Sequence, residues 1–161
     1  MNRLNKAIEL AIEVHADQTD LGGHPYILHP LRVLCAVEEI IREMKVEDRE
    51  SVLCSAVLHD CIEDSKNQEY IANAIEVRFG NTVLKTVDSL TRRKNESWKN
   101  YINRVNEHWA PRIIKIADLH DNSDLSRLKE LTDKDEQRNK MYSKALTILL
   151  TPKGKNNADR I

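Results

Sequence analysis

The chain has 161 residues, 40% of them hydrophobic, with 25 basic and 26 acidic side chains and a formal net charge of −1. That length suits one domain with its own core. The balanced charge excludes the basic footprint of a nucleic-acid binder and the polybasic patch of a membrane-surface protein.

Apolar residues recur at three- and four-residue spacing almost throughout, as in Leu4, Ile8, Ala11 and Ile12, and again in Leu31, Leu34, Val37 and Ile41. This is helix period; no strand-like alternation is sustained. The pattern predicts an all-α domain with helices over 2–18, 30–44, 48–63, 67–78, 80–90, 97–108, 111–130 and 133–150. Gly22, Gly23 and Pro25 make the first connection a loop, Pro30 suits the first position of the second helix, and Gly80 separates the fourth from the fifth. Residues 1–150 read as one domain, and 151–161 (TPKGKNNADRI), which lack an apolar face, as a flexible C-terminal tail. Cys35, Cys54 and Cys61 lack the short pairings of zinc sites or disulfide frameworks and are expected to be buried reduced thiols. No stretch is apolar enough for a membrane helix, and the N-terminus lacks a signal-peptide apolar block, so the expected location is the cytoplasm.

Chemistry concentrates where polar groups interrupt apolar runs. In SVLCSAVLHDCIEDS an apolar stretch ends in His59, Asp60, Glu63 and Asp64. On a helix His59 and Glu63 would share a face, as would Asp60 and Asp64, so all four would project from one end. Taken alone, the run reads equally as a charged helix end facing water. His29, in HPYILHP, has its direction fixed by the rigid Pro30 and by packing of Tyr26 and Ile27. Asp118 follows Ile113, Ile114, Ile116 and Ala117, where a buried carboxylate needs a cation or several donors. A single divalent ion shared by His29, His59, Asp60 and Asp118 would account for all four. Imidazole beside carboxylate suits Mn, Fe or Zn, and an oxygen-rich octahedral site favours Mg or Mn.

Read together, Tyr26-x-x-His29-Pro30, then Leu58-His59-Asp60-x-x-Glu63-Asp64, then Lys115-Ile116-Ala117-Asp118 with Asn122 four residues on, resemble the HD-domain phosphohydrolases. More narrowly, the pattern is similar to the hydrolase domain of the bifunctional alarmone, (p)ppGpp, synthetase/hydrolases and to the small alarmone hydrolases. The resemblance covers about residues 5–130 and includes His15 and Gln18, Phe79-Gly80, and the run from Val87 to Thr91. It implies a helical bundle that holds a divalent ion, usually Mn²⁺, on His29, His59, Asp60 and Asp118. It also implies that Glu63 and Asp64 orient and deprotonate the attacking water, and that Asn122 contacts the nucleotide. The implied activity is metal-dependent hydrolysis of a nucleotide's phosphate groups, with 3′-pyrophosphohydrolysis of (p)ppGpp first.

Two departures keep an alternative open. Thr19-Asp20-Leu21 lacks the basic residue the family carries after its opening His-x-x-Gln, and Ala117-Asp118-Leu119-His120-Asp121-Asn122 shifts the motif's histidine by one position. A nucleotide phosphatase or (d)NTP triphosphohydrolase with another base preference is therefore the second reading, and a non-catalytic nucleotide-sensing module the third. Arg92 and Arg93 are candidate phosphate receptors, with Arg127 following the third motif, although the Arg92–Lys94 cluster also reads as a solvated basic turn near a helix end. His24 faces either substrate or water. His15 reads as a core histidine hydrogen-bonded behind the site, and Lys115 as a partner for a carboxylate or phosphate. Trp98, Tyr101, His108 and Trp109 read as packing and surface residues rather than a base-stacking platform. Oligomeric state is not readable from the chain.

Overall fold

The computed structural model describes residues 2–151. It contains α1 (Arg3–Val14), α2 (Leu28–Ile41), α3 (Arg49–Val57), α4 (Gln68–Phe79), α5 (Asn81–Leu90), α6 (Trp98–Val105), α7 (Trp109–Ser123), a 3-10 turn (Leu125–Arg127) and α8 (Asp133–Leu150). Among the described residues the only strand-like feature is an isolated bridge between Thr19 and Pro25, so the molecule is all-α as the periodicity predicts. None of these helices is long and apolar enough to cross a membrane. The expected flexible tail lies, beyond Thr151, outside the described residues.

Side-chain caps explain several starts. Asp48 accepts from Ser51 N–H at 3.0 Å to open α3, Asn67 accepts from Tyr70 N–H at 3.1 Å to open α4, and Thr132 and Asp135 form a reciprocal box at the head of α8. Gly80 turns the chain between α4 and α5 at φ 88°, a conformation that disfavours any side chain.

The central element is α3. Six of its nine residues are buried (Ser51, Val52, Cys54, Ser55, Ala56 and Val57), as expected for a helix covered on all sides. Val52 and Ala56 face an apolar cluster with Val33, Val37 and Ile41 of α2, Ile114 of α7 and Leu149 of α8. Cys54, Val57 and the following Leu58 face a second cluster with Leu10 of α1, Ile75 of α4 and Val83 of α5. The core is thus divided by α3, whose small Ser and Ala side chains let its neighbours approach closely.

Several sequence expectations need correction. The first helix ends at Val14 rather than Gln18, and the second begins at Leu28, so Pro30 is its third residue. The third helix stops at Val57, not Glu63, and residues 58–64 form consecutive turns. The cause is visible at His59, whose Nδ1 donates to the Ala56 carbonyl at 2.9 Å and so satisfies one of the acceptors left open in a helix's last turn. The seventh helix ends at Ser123, where Asp124 leaves helical geometry and its carboxylate accepts from Ser126 N–H at 3.0 Å. Cys54 and Cys61 are buried, and burial raises the Cys54 thiol to about 11. Cys35 is exposed instead, because the buried stripe of α2 runs through Val33, Val37 and Ile41 and leaves position 35 on the opposite side.

Candidate metal centre

Three elements converge on one buried cluster. The first turn of α2 supplies His29, the turn after α3 supplies His59 and Asp60, and the middle of α7 supplies Asp118. His29, His59 and Asp118 are 1–3% exposed. Donor atoms of these three lie within 4.8 Å of one another. Asp60 completes the ring: its Oδ2 is 3.0 Å from His59 Nε2 and 3.6 Å from His29 Nε2. Asp118 Oδ1 is 3.1 Å from His29 Nε2 and 3.7 Å from His59 Nε2. The sequence-predicted ligand residues are therefore brought together.

This geometry fits a divalent ion better than it fits a hydrogen-bonded cluster. Neither imidazole Nε2 has a hydrogen-bond partner among the described residues, although both are buried. Their Nδ1 atoms are committed elsewhere, His59 to the Ala56 carbonyl at 2.9 Å and His29 to Asp121 Oδ2 at 2.7 Å. With a divalent ion in the space that the carboxylate oxygens also face, each ring would keep its proton on Nδ1 and present an Nε2 lone pair to it. Neighbouring ligands on an ion with bonds of about 2.1 Å in octahedral geometry stand about 3 Å apart, which matches the shorter separations here.

The electrostatics show that the carboxylates draw positive charge into this space. Burial disfavours a charged His29, but Asp118, Asp121 and Asp60 outweigh it and raise its pKa to about 11. For His59, burial is overcome by Asp60 and Asp118, with a value of about 9. Without a cation the carboxylates thus draw protons onto the imidazoles; a bound divalent ion would supply that positive charge and leave both rings neutral. For Asp60 and Asp118 burial opposes ionisation, yet the imidazoles, and for Asp118 chiefly Lys115, hold both well below the usual carboxylate range.

Several contacts around the cluster were not specified by the sequence. Tyr26 donates its hydroxyl to Asp60 Oδ2 at 2.6 Å, and its ring stands between those of His15 and His29. Arg32 donates from Nε to Asp121 Oδ1 at 2.6 Å. Asp121 itself is the largest omission; a spacing of three from Asp118, which puts both on one helix face, was the available signal. Lys115, expected to meet a carboxylate or phosphate, pairs with Asp118 Oδ2 at 2.7 Å and sits 5.1 Å from the centre of the Tyr101 ring. His15 is buried behind the site, with Nδ1 2.7 Å from Gln18 Oε1 and Nε2 3.7 Å from Cys61 Sγ.

Glu63 and Asp64 lie on the exposed end of the 58–64 turns. Glu63 Oε2 accepts from Arg92 N–H at 2.9 Å. Asp64 Oδ2 lies 3.9 Å from His15 Nδ1. Partial burial, followed by the charges of Asp60 and Glu63, raises the Asp64 pKa to about 6.

A cavity of about 260 Å³ opens beside His29, walled by Thr19, Leu21, Leu125 and Leu128 and carrying Asn122, Arg127 and Arg138. Asn122 also donates to Asp118 Oδ1 at 2.6 Å. Arg138 reaches this cavity from α8, a placement no local motif reveals. Asp20 is in its wall, accepting from Gly22 and His24 N–H at 2.9 Å each and standing 3.7 Å from Arg127 Nη1. Arg92 and Arg93 are engaged inside their own turn. Arg93 makes a two-point pair with Asp88 at 2.7 and 2.5 Å, and Arg92 donates to the Glu96 carbonyl at 3.1 and 2.8 Å. His24 is exposed and 3.6 Å from Asp20 Oδ1.

Known proteins resemble this chain in sequence and in fold. The chain is 33% identical over 127 residues to the guanosine-3′,5′-bis(diphosphate) 3′-pyrophosphohydrolase of Aquifex aeolicus, covering 74% of this chain and 17% of that protein. It is 35% identical over 92 residues to the bifunctional (p)ppGpp synthase/hydrolase SpoT of Escherichia coli, covering 57% of this chain and 12% of that protein. It therefore spans less than a fifth of the length of these relatives. A solved structure of a metazoan SpoT ortholog that hydrolyses ppGpp superposes with a TM-score of 0.73 at 22% identity, over 97% of this chain and 88% of that one, so the two share a fold. The family model described as HD domain matches residues 7–113, a span that holds His29, His59 and Asp60 and stops short of Asp118. With most of its length inside that match, and with the paired His59-Asp60 set into a buried cluster of His and Asp, this chain belongs to the HD domain family.

Proposed function

We propose that the chain is a metal-dependent phosphohydrolase of nucleotides, with His29, His59, Asp60 and Asp118 holding a divalent ion, Mn²⁺ first among the candidates. The observation that carries this is the pair of buried, unpartnered Nε2 atoms facing two carboxylates beside a cavity large enough for part of a nucleotide. An ion bound there would acidify water and offset negative charge on a phosphate. The protein's own groups do the rest. Asp64, raised toward neutrality, takes the proton of the attacking water, while Glu63 orients that water. Asn122 and Arg127 face the nucleotide from the cavity, and the 91–96 turn bearing Arg92 and Arg93 borders Glu63 on the other side. No covalent intermediate is required.

The first choice of substrate is (p)ppGpp, cleaved at its 3′ diphosphate, on the strength of the relatives' activities. Asp20 favours the second reading, a nucleotide phosphatase or triphosphohydrolase with another base, because it puts a carboxylate into the cavity wall. Incubation of the Mn²⁺-loaded protein with a nucleotide panel, before and after chelation, tests both. Pyrophosphate released from a 3′ position supports the first, orthophosphate or triphosphate the second, and no turnover of any nucleotide rejects the hydrolase reading. His59→Ala and Asp60→Ala should abolish metal binding, whereas Glu63→Ala should spare it and slow hydrolysis.

A further inference from the structure

Asp121 lies three residues beyond Asp118 on α7, and the two carboxylates grip one imidazole from both sides. Asp118 Oδ1 is 3.1 Å from His29 Nε2, and Asp121 Oδ2 is 2.7 Å from His29 Nδ1. An ionised carboxylate only accepts hydrogen bonds, so the Nδ1 contact holds a proton on that side, and a divalent ion beside Asp60 and Asp118 would then meet the Nε2 lone pair. Asp121 is itself immobilised. Arg32 donates to Oδ1 at 2.6 Å and to Oδ2 at 3.1 Å, and Arg127 donates to Oδ2 at 3.2 Å and to the Asp121 backbone carbonyl. The Asp121 side chain is 13% exposed, which leaves little room for water to replace it as the acceptor at Nδ1.

We propose that Asp121 is a positioning residue that fixes His29 in the tautomer and orientation presenting Nε2 to a divalent ion, with Arg32 and Arg127 holding the carboxylate in place. The inference rests on the metal-centre reading above. A hydrogen-bonded carboxylate behind a ligand histidine also increases the ring's basicity, and removal of such a partner generally costs about 10–100-fold in metal affinity.

Calorimetric titration with Mn²⁺ tests it without reference to turnover. Asp121→Asn should weaken Mn²⁺ binding by about 10-fold or more. Arg32→Gln, which removes two of the hydrogen bonds that hold the Asp121 carboxylate but keeps the carboxylate itself, should weaken binding by less than Asp121→Asn does. An Asp121→Asn affinity within twofold of wild type overturns the proposal, as does a loss in Arg32→Gln equal to or larger than that in Asp121→Asn, which would put the positioning role on the arginine rather than on Asp121. If Asp121→Asn does not fold, ¹⁵N–¹H correlation spectra of the imidazoles in zinc-loaded wild type decide instead. A proton on His29 Nδ1 supports the proposal and one on Nε2 overturns it. Failure of the wild type to bind either ion would reject the metal-centre reading itself, an outcome distinct from tight wild-type binding that Asp121→Asn leaves unchanged.

Discussion

Asp64 combines solvent access with a raised proton affinity. Its side chain is 34% exposed, yet partial burial and the nearby carboxylates of Asp60 and Glu63 bring its pKa to about 6. A general base works only when deprotonated, so hydrolysis should rise with pH through that value, and a bound divalent ion would move the limb lower. Asp64→Asn should reduce kcat by about 10²–10⁴-fold and remove the acidic limb of the pH–rate profile, with Mn²⁺ affinity little changed. A limb that persists in the variant would assign it to another group. At this scale the residues of the His/Asp cluster were legible in the sequence because each polar residue broke an apolar run. Asp121 was not, since an acid near a helix end occurs in many solvated settings, and Tyr26, read as packing beside His29, was not expected to donate to Asp60.

At the scale of elements, the stretch between α5 and α6 is shaped by one carboxylate. Glu96 accepts from Arg104 Nε at 2.9 Å and Nη2 at 2.8 Å, and from Arg93 N–H at 3.0 Å, with its side chain only 12% exposed. Arg104 also donates to the Ser89 carbonyl at 2.8 Å and the Thr91 carbonyl at 3.1 Å, closing the end of α5. The Arg104 hydrogen bond chiefly holds the Glu96 pKa down at about 2, against an ordinary 4.5. A depressed carboxylate pKa contributes stability above the unfolded value, and that contribution is lost as pH falls through the folded value. Glu96→Gln should therefore cost about 1–3 kcal/mol near neutrality, with the gap closing between about pH 4.5 and pH 2 in urea unfolding. A pH-independent difference would show that packing, not charge, is responsible. The helices themselves were legible from their periodicity, but the end of α3 was not. Its last turn is completed by a histidine that a propensity argument treats as one more helical residue.

For the whole molecule, the His/Asp cluster joins α2, the turn after α3, and α7, so an ion bound there would act as a staple across the bundle. Binding to the folded state alone stabilises it by about 2.7 kcal/mol at a hundredfold excess of ligand over Kd. Saturating Mn²⁺ should then raise Tm by about 5–10 °C for a domain of this size, and a chelator should reverse the rise. His59→Ala should show no metal-dependent shift. An equal shift in that variant would locate the ion elsewhere.

The sequence by itself determined the all-α class, the approximate positions of the helices and the His and Asp residues that meet in one buried cluster. Helix period and the cost of burying an unpaired polar group are both local properties of a chain. Only the tertiary structure decided which groups stand behind the ligands and which face the cavity. Asp121 meets His29 from 92 positions away, Tyr26 meets Asp60 from 34, and Arg138 enters the cavity from the last helix. Such pairings depend on how helices pack across a shared core, and two helices of the same pattern can be packed so that these side chains never meet.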